Sequence, residues 1–164
     1  SSSERFRWHM IGHLQRNKVA QIVGEVERIH SVDSLRLARR IDEIAARIEV
    51  RIPVHAQINV AREETRHGVL PEDSEDFIGE IARFTHLDVR GLMTMAPRVD
   101  QPEDARPFFR QLREISSNTI DRIGTDRFGT DLSMGMSEDF EVAIEEGATH
   151  VRVGRAVFRD PETS

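Results

Sequence analysis

Six short apolar or alternating runs, each followed by a stretch of helical periodicity, restrict this chain to a narrow set of folds. The runs are Phe6–Ile11, Arg28–His30, Pro53–Val60, Leu87–Met95, a strand closing at Asp131–Ser133, and His150–Gly154. In the clearest of them, Val54, Ala56, Ile58 and Val60 alternate with His55, Gln57 and Asn59, the period of a strand. Between the runs, apolar residues recur at helical spacing. One stripe is Val19, Ile22, Val23 and Val26, in a helix expected to run to about Val26. A second is Leu35, Ala38, Ile41, Ala45 and Ile48, capped by Ser31 or Asp33. A third, opened by Pro71, holds Phe77, Ile78, Ile81 and Ala82. The longest, from about Glu103 to Ile123, holds Ala105, Phe109, Leu112, Ile115 and Ile120. Ser1–Glu4 reads as a loop or frayed end.

Strands alternating with helices call for right-handed crossovers and a parallel sheet. A closed barrel of this type needs eight units. Six of them form either an incomplete barrel or an open doubly wound sheet. We read the chain as α/β, an incomplete (β/α)8 barrel of about six β/α units. No linker or repeat divides residues 1–164, so one domain is expected.

Composition narrows the function classes. The 164 residues carry a net charge of −6 and no cysteine. An acidic chain is poorly suited to polyanions, so no nucleic-acid partner is expected. No apolar run is long enough to span a bilayer, and no secretory signal is visible, so the expected location is the cytoplasm. Without cysteine there is no disulfide or thiol chemistry. The only lysine is Lys18.

The stretch Asp131–Phe158 concentrates the chemistry. Ser133, Gly135 and Ser137 make a polar turn after a strand. Ser137 is the expected N-cap of a helix with Glu138 and Asp139 in its first turn, and Gly147 its C-cap. His150, Arg152 and Gly154 then alternate with Val151 and Val153. Two parallel strands thus end side by side in open turns, whose N–H groups can hold an anion. Glycines after strands most often only turn the chain. Arg152 adds weight, because an arginine inside a sheet or barrel needs an acceptor; its structural alternative is an ion pair. His9 and His13 have a metal-ligand spacing only if helical; glycine between them argues against that, and no third ligand lies at a diagnostic distance, so no metal is expected.

The segment LSMGMSEDFEVAIEEGATHVRVGRAVF, with WHMIGHLQRNK at Trp8–Lys18 and GLMTMAP at Gly91–Pro97, resembles the pyridoxal phosphate homeostasis protein family. The resemblance covers almost the whole chain. It implies a barrel of the alanine racemase N-terminal type that binds pyridoxal 5′-phosphate (PLP). It implies that Ser133 binds the phosphate by its hydroxyl, that Gly154 and Arg155 offer it backbone N–H groups, and that Arg152 faces the pyridine nitrogen. His13, with Gln15 and Asn17, would line the barrel mouth. Relatives often carry a small hydroxyl residue at the position of Arg155, so that side-chain contact is lost here. In the family, two further β/α units precede the Trp8 strand, and the first carries the Schiff-base lysine; neither is in this sequence. Arg66 stands where many relatives have another lysine, and Lys18 opens a helix beyond a strand end, so it is not the expected anchor.

The implied function is a carrier or regulator in intracellular PLP homeostasis, without strong catalysis. Its expected partners are the cofactor and PLP-dependent apo-enzymes, and its expected state is a monomer. The alternatives are a PLP-dependent amino-acid racemase, a metal-dependent barrel hydrolase, and a cofactor-free truncated remnant.

Overall fold

A computed structural model describes residues 6–158; the loop expected at Ser1–Glu4 lies outside them. The strands are β1 (His9–Met10), β2 (Arg28–Val32), β3 (Ile52–Gln57), β4 (Leu87–Met93), β5 (Asp131–Met136) and β6 (His150–Arg152). They form one parallel sheet in the order β1-β2-β3-β4-β5-β6. Sequential order rules out the doubly wound alternative, in which the chain reverses direction across the sheet. Each right-handed crossover instead carries its helix to the same face.

The sheet is strongly curled. In a flat sheet β2 and β5 would lie about 14 Å apart, at three strand spacings. Yet Arg28 Nη1 on β2 donates to Asp131 Oδ2 on β5 at 2.5 Å, and His30 Nδ1 meets Ser133 Oγ at 2.8 Å. The two edge strands approach as well, with the rings of His9 and His150 centred 6.2 Å apart. This is the geometry of an incomplete (β/α)8 barrel.

The core lies between the outer face of the sheet and the helices. From α2 (Leu35–Arg47), Leu37, Ala38, Ile41 and Ala45 are buried. Ile78 and Ile81 come from α3 (Ser74–Ile81), and Phe109 and Leu112 from α4 (Arg106–Ile123). They join Ile29, Val54 and Leu132 of the strands in one cluster. Strand residues of the other parity point into the lumen, so both faces of β3 are buried: Val54 among the apolar core, His55 inside.

Several boundaries differ from the sequence reading. The first α-helix, α1, is only Val19–Ile22, after a 3-10 turn at Arg16–Lys18; Gly24, at φ +103°, turns the chain before the expected end. The cap of α2 is Ser34, whose Oγ accepts from Leu37 N at 3.2 Å, rather than Ser31 or Asp33. Pro71 and Pro102 open 3-10 turns that lead into α3 and α4. Strand β5 continues through Gly135, and α5 (Phe140–Glu145) begins after Asp139, so Ser137 is not its N-cap.

Candidate binding site at the carboxyl rim

Parallel strands place all their carboxyl ends on one rim, where the following loops can converge on a ligand. Here that rim opens into a pocket of about 1270 Å³, with Arg152, Gly154, His13 and Met136 among its lining residues.

Arg152 is the central group. Its Nη1 donates to Ser133 Oγ at 2.9 Å and its Nη2 to the carbonyl of Thr94 at 2.8 Å. Thr94 is fixed in turn by donating its hydroxyl to Ile58 O at 2.6 Å. Burial lowers the Arg152 pKa to about 10, opposed only by the through-space influence of Asp139. Both hydrogen-bonded partners are neutral, so among the described residues the ion-pair alternative is not realised. A guanidinium has five N–H donors, and these two bonds leave donors for an acceptor in the pocket.

Ser133 is fully buried. Its hydroxyl is shared between Arg152 and His30, which draws it into the lumen and not to the turn at Gly154. The hydroxyl that meets that turn is Ser137: Gly154 N donates to its Oγ at 3.3 Å. The β5–β6 register explains the difference. Ser133 pairs with His150 and Met136 with Arg152, so the residue beyond Met136 reaches the level of the β6 exit. Asp139 closes the turn, its Oδ1 accepting from Met136 N at 2.6 Å. The signal missed in the sequence was this register.

Arg155 turns outward, with Nη2 2.7 Å from Glu138 Oε1 and both side chains largely exposed. Its side chain pairs at the surface, while the residue still borders the pocket. His13 stands on the rim with its Nδ1 3.3 Å from Asp33 Oδ2, its ring stacked on His67. His9 turns elsewhere, Nδ1 to His30 Nε2 at 3.0 Å, so the two histidines of the HMIGH stretch do not converge. Lys18 is exposed and is not among the residues lining the pocket.

Below the rim lies a polar lumen that sequence reasoning did not assign. Desolvation, then the neighbouring His55, lowers the His30 pKa to about 2. A neutral imidazole donates from one nitrogen and accepts at the other, so His9, His30 and Ser133 form a continuous hydrogen-bonded chain to Arg152. Burial also lowers His55, His150 and His9. Burial acts against the charge of Asp131, but His55 and Arg28 outweigh it and hold the carboxyl at about 2.

A curled parallel β/α sheet with a half-buried arginine beneath two rim turns fits the class of the alanine racemase N-terminal domain, and the family of that description matches residues 4–161. Among solved structures, PipY of Synechococcus elongatus with PLP bound is 32% identical, with a TM-score of 0.83 over 93% of this chain and 70% of that one. Clostridium difficile alanine racemase shares the fold, at a TM-score of 0.78 and 19% identity over 98% of this chain and 42% of its own. The chain belongs to the pyridoxal phosphate homeostasis protein family. It is 44% identical over 151 residues to the member from Aquifex aeolicus, covering 92% of this chain and 65% of that protein. The Helicobacter pylori member is 34% identical, covering 93% of this chain and 67% of that protein. The chain thus spans about two thirds of the length of these relatives.

Proposed function

We propose that this chain binds PLP at the rim pocket and serves as a carrier or regulator of the cofactor. The observation that carries the reading is Arg152, a half-buried guanidinium with neutral partners and donors to spare. It suits an acceptor nitrogen in a ring. Gly154 N–H, Ser137 Oγ and the backbone of Arg155 would hold the phosphate, with Ser137 taking the part expected of Ser133. His13 lies on the same rim.

Bound PLP supplies an aldehyde and an electron-withdrawing ring. Arginine has only N–H donors, so it would pair with a pyridine nitrogen that accepts through a free lone pair, and would disfavour the protonated form. That weakens the ring as an electron sink and suits carriage better than demanding catalysis. Ser133 and Thr94 fix the guanidinium plane, and His30 holds Ser133. Lys18, exposed and outside the pocket, is not the anchor. Delivery to PLP-dependent apo-enzymes, a monomeric state and a cytoplasmic location belong to the same proposal.

The test is a PLP titration of the chain followed by absorbance, with Arg152→Gln beside it. The expected result is saturable binding that weakens by roughly tenfold or more in the variant. Borohydride treatment is expected to leave Lys18 unmodified. Equal affinity in Arg152→Gln, or label fixed on Lys18, overturns the reading.

A further inference from the structure

We propose that His9, on the edge strand β1, is a positioning residue for Arg152 and acts through a one-way chain of hydrogen bonds by way of His30 and Ser133. The inference rests on the reading of the pocket as a PLP site in which Arg152 meets the ring nitrogen. The chain joins four strands. His9 lies on β1, His30 on β2, Ser133 on β5 and Arg152 on β6. Its links are His9 Nδ1 to His30 Nε2 at 3.0 Å, His30 Nδ1 to Ser133 Oγ at 2.8 Å, and Arg152 Nη1 to Ser133 Oγ at 2.9 Å. All of these are ordinary hydrogen-bond lengths.

Donor and acceptor chemistry gives the chain its direction. A guanidinium only donates, so Ser133 Oγ accepts from Arg152. Ser133 is fully buried, and among the described residues the other partner of its hydroxyl is His30. Its single proton therefore goes to His30 Nδ1, because a buried donor left unmade is costly. That places the His30 proton on Nε2, which donates to His9 Nδ1, and leaves His9 with its own proton on Nε2. The surroundings favour neutral rings. Burial lowers the pKa of both; at His30 the neighbouring His55, His9, His150 and Arg152 add to it. At His9, Arg28 and Arg7 act with burial and Glu27 against it.

The direction matters at the far end of the chain. A free serine hydroxyl rotates and can present either its proton or a lone pair. With its proton held by His30, Ser133 offers Arg152 lone pairs only. Ser133 then holds Nη1 and the Thr94 carbonyl holds Nη2, so the planar fork has one orientation and its remaining N–H groups are preset. His9 supplies the acceptor on which this order depends. Without it the Nε2 proton of His30 has no partner, and the tautomer with the proton on Nδ1 becomes competitive. In that tautomer Ser133 must accept from two donors at once and place its own proton elsewhere, which loosens its hold on Arg152.

The test is PLP titration of the full chain, with His9→Leu and His9→Gln beside the parent, repeated with the PLP analogue that carries a C–H in place of the ring nitrogen. His9→Leu removes the acceptor, and His9→Gln restores one through Oε1. The proposal expects PLP affinity to fall by roughly threefold to tenfold in His9→Leu and to recover in His9→Gln. The analogue offers Arg152 no lone pair, so it should bind the parent and both variants alike. Nitrogen NMR of the histidine rings gives a reading that needs no ligand. His9 and His30 should both carry their proton on Nε2 in the parent near neutral pH, and His30 should shift toward Nδ1 in His9→Leu. Circular dichroism establishes that each variant is folded. Unchanged PLP affinity in His9→Leu, no recovery in His9→Gln, an equal loss for PLP and the analogue, or a parent His30 protonated on Nδ1 overturns the proposal and leaves the PLP reading standing. A parent chain that binds no PLP overturns that reading and this inference with it.

Discussion

Ser133 and Ser137 stand four residues apart in one polar turn of the sequence, and the fold gives them opposite duties. Ser133 is enclosed between an imidazole and a guanidinium; Ser137 meets the backbone of the neighbouring turn. Ser133→Ala would leave buried polar groups short of a partner and is expected to cost about 1–3 kcal/mol in urea unfolding. Ser137→Ala is expected to leave the unfolding midpoint near that of the parent and to weaken PLP binding. A silent Ser133→Ala with a destabilised Ser137→Ala would reverse the assignment. The sequence exposed Arg152 and Gly154 as candidates, because a strand-borne arginine and a strand-end glycine need few neighbours to interpret. It did not separate the two serines, because their roles depend on how β5 registers against β6.

At the scale of elements, the apolar stripes located the helices well and their ends less well. Of the stripe expected for α2, Ala38, Ile41 and Ala45 are buried, Leu35 is partly buried, and Ile48 is exposed beyond the helix end; its cap moved to Ser34. A cap depends on one side chain meeting one backbone N–H, and Ser31, Asp33 and Ser34 are all chemically able. Ser34→Ala is expected to lower stability by about 1 kcal/mol, read as a shifted urea midpoint with unchanged slope. The junction of β5 and α5 is tighter. Gly135 has φ +96°, and a Cβ there would come 2.6 Å from the Ala143 Cβ on α5. Gly135→Ala therefore combines backbone strain with a clash and is expected to cost about 2–3 kcal/mol. Loss of less than Ser34→Ala would show that α5 can move away freely.

The whole molecule is closed on its inner side by charge and hydrogen bonds instead of apolar layers. The alternation of His55 with apolar neighbours was legible, but its consequence was not. The groups that meet across the lumen lie far apart in the chain, as Arg28 and Asp131 do, and only the curl of the sheet joins them. This interior makes stability depend on pH in a definite direction. His30 has an ordinary pKa of 6.5 and about 2 in the fold, and burial lowers His9, His55 and His150 as well. Below about pH 6.5 the unfolded chain takes up protons that the folded chain refuses, so stability falls as pH falls. For His30 the loss continues to about pH 2, and Asp131 adds to it only below its ordinary 3.8. Each fully excluded proton contributes at most about 1.4 kcal/mol per pH unit. Urea unfolding should therefore give a lower midpoint at about pH 5.5 than at about pH 7.5. His30→Asn keeps a polar side chain but cannot titrate in this range, and should flatten that slope even if it lowers the midpoint at both pH values. A midpoint that holds or rises on acidification would mean that the lumen admits water and protons freely, and that its histidines do not hold the sheet in its curl.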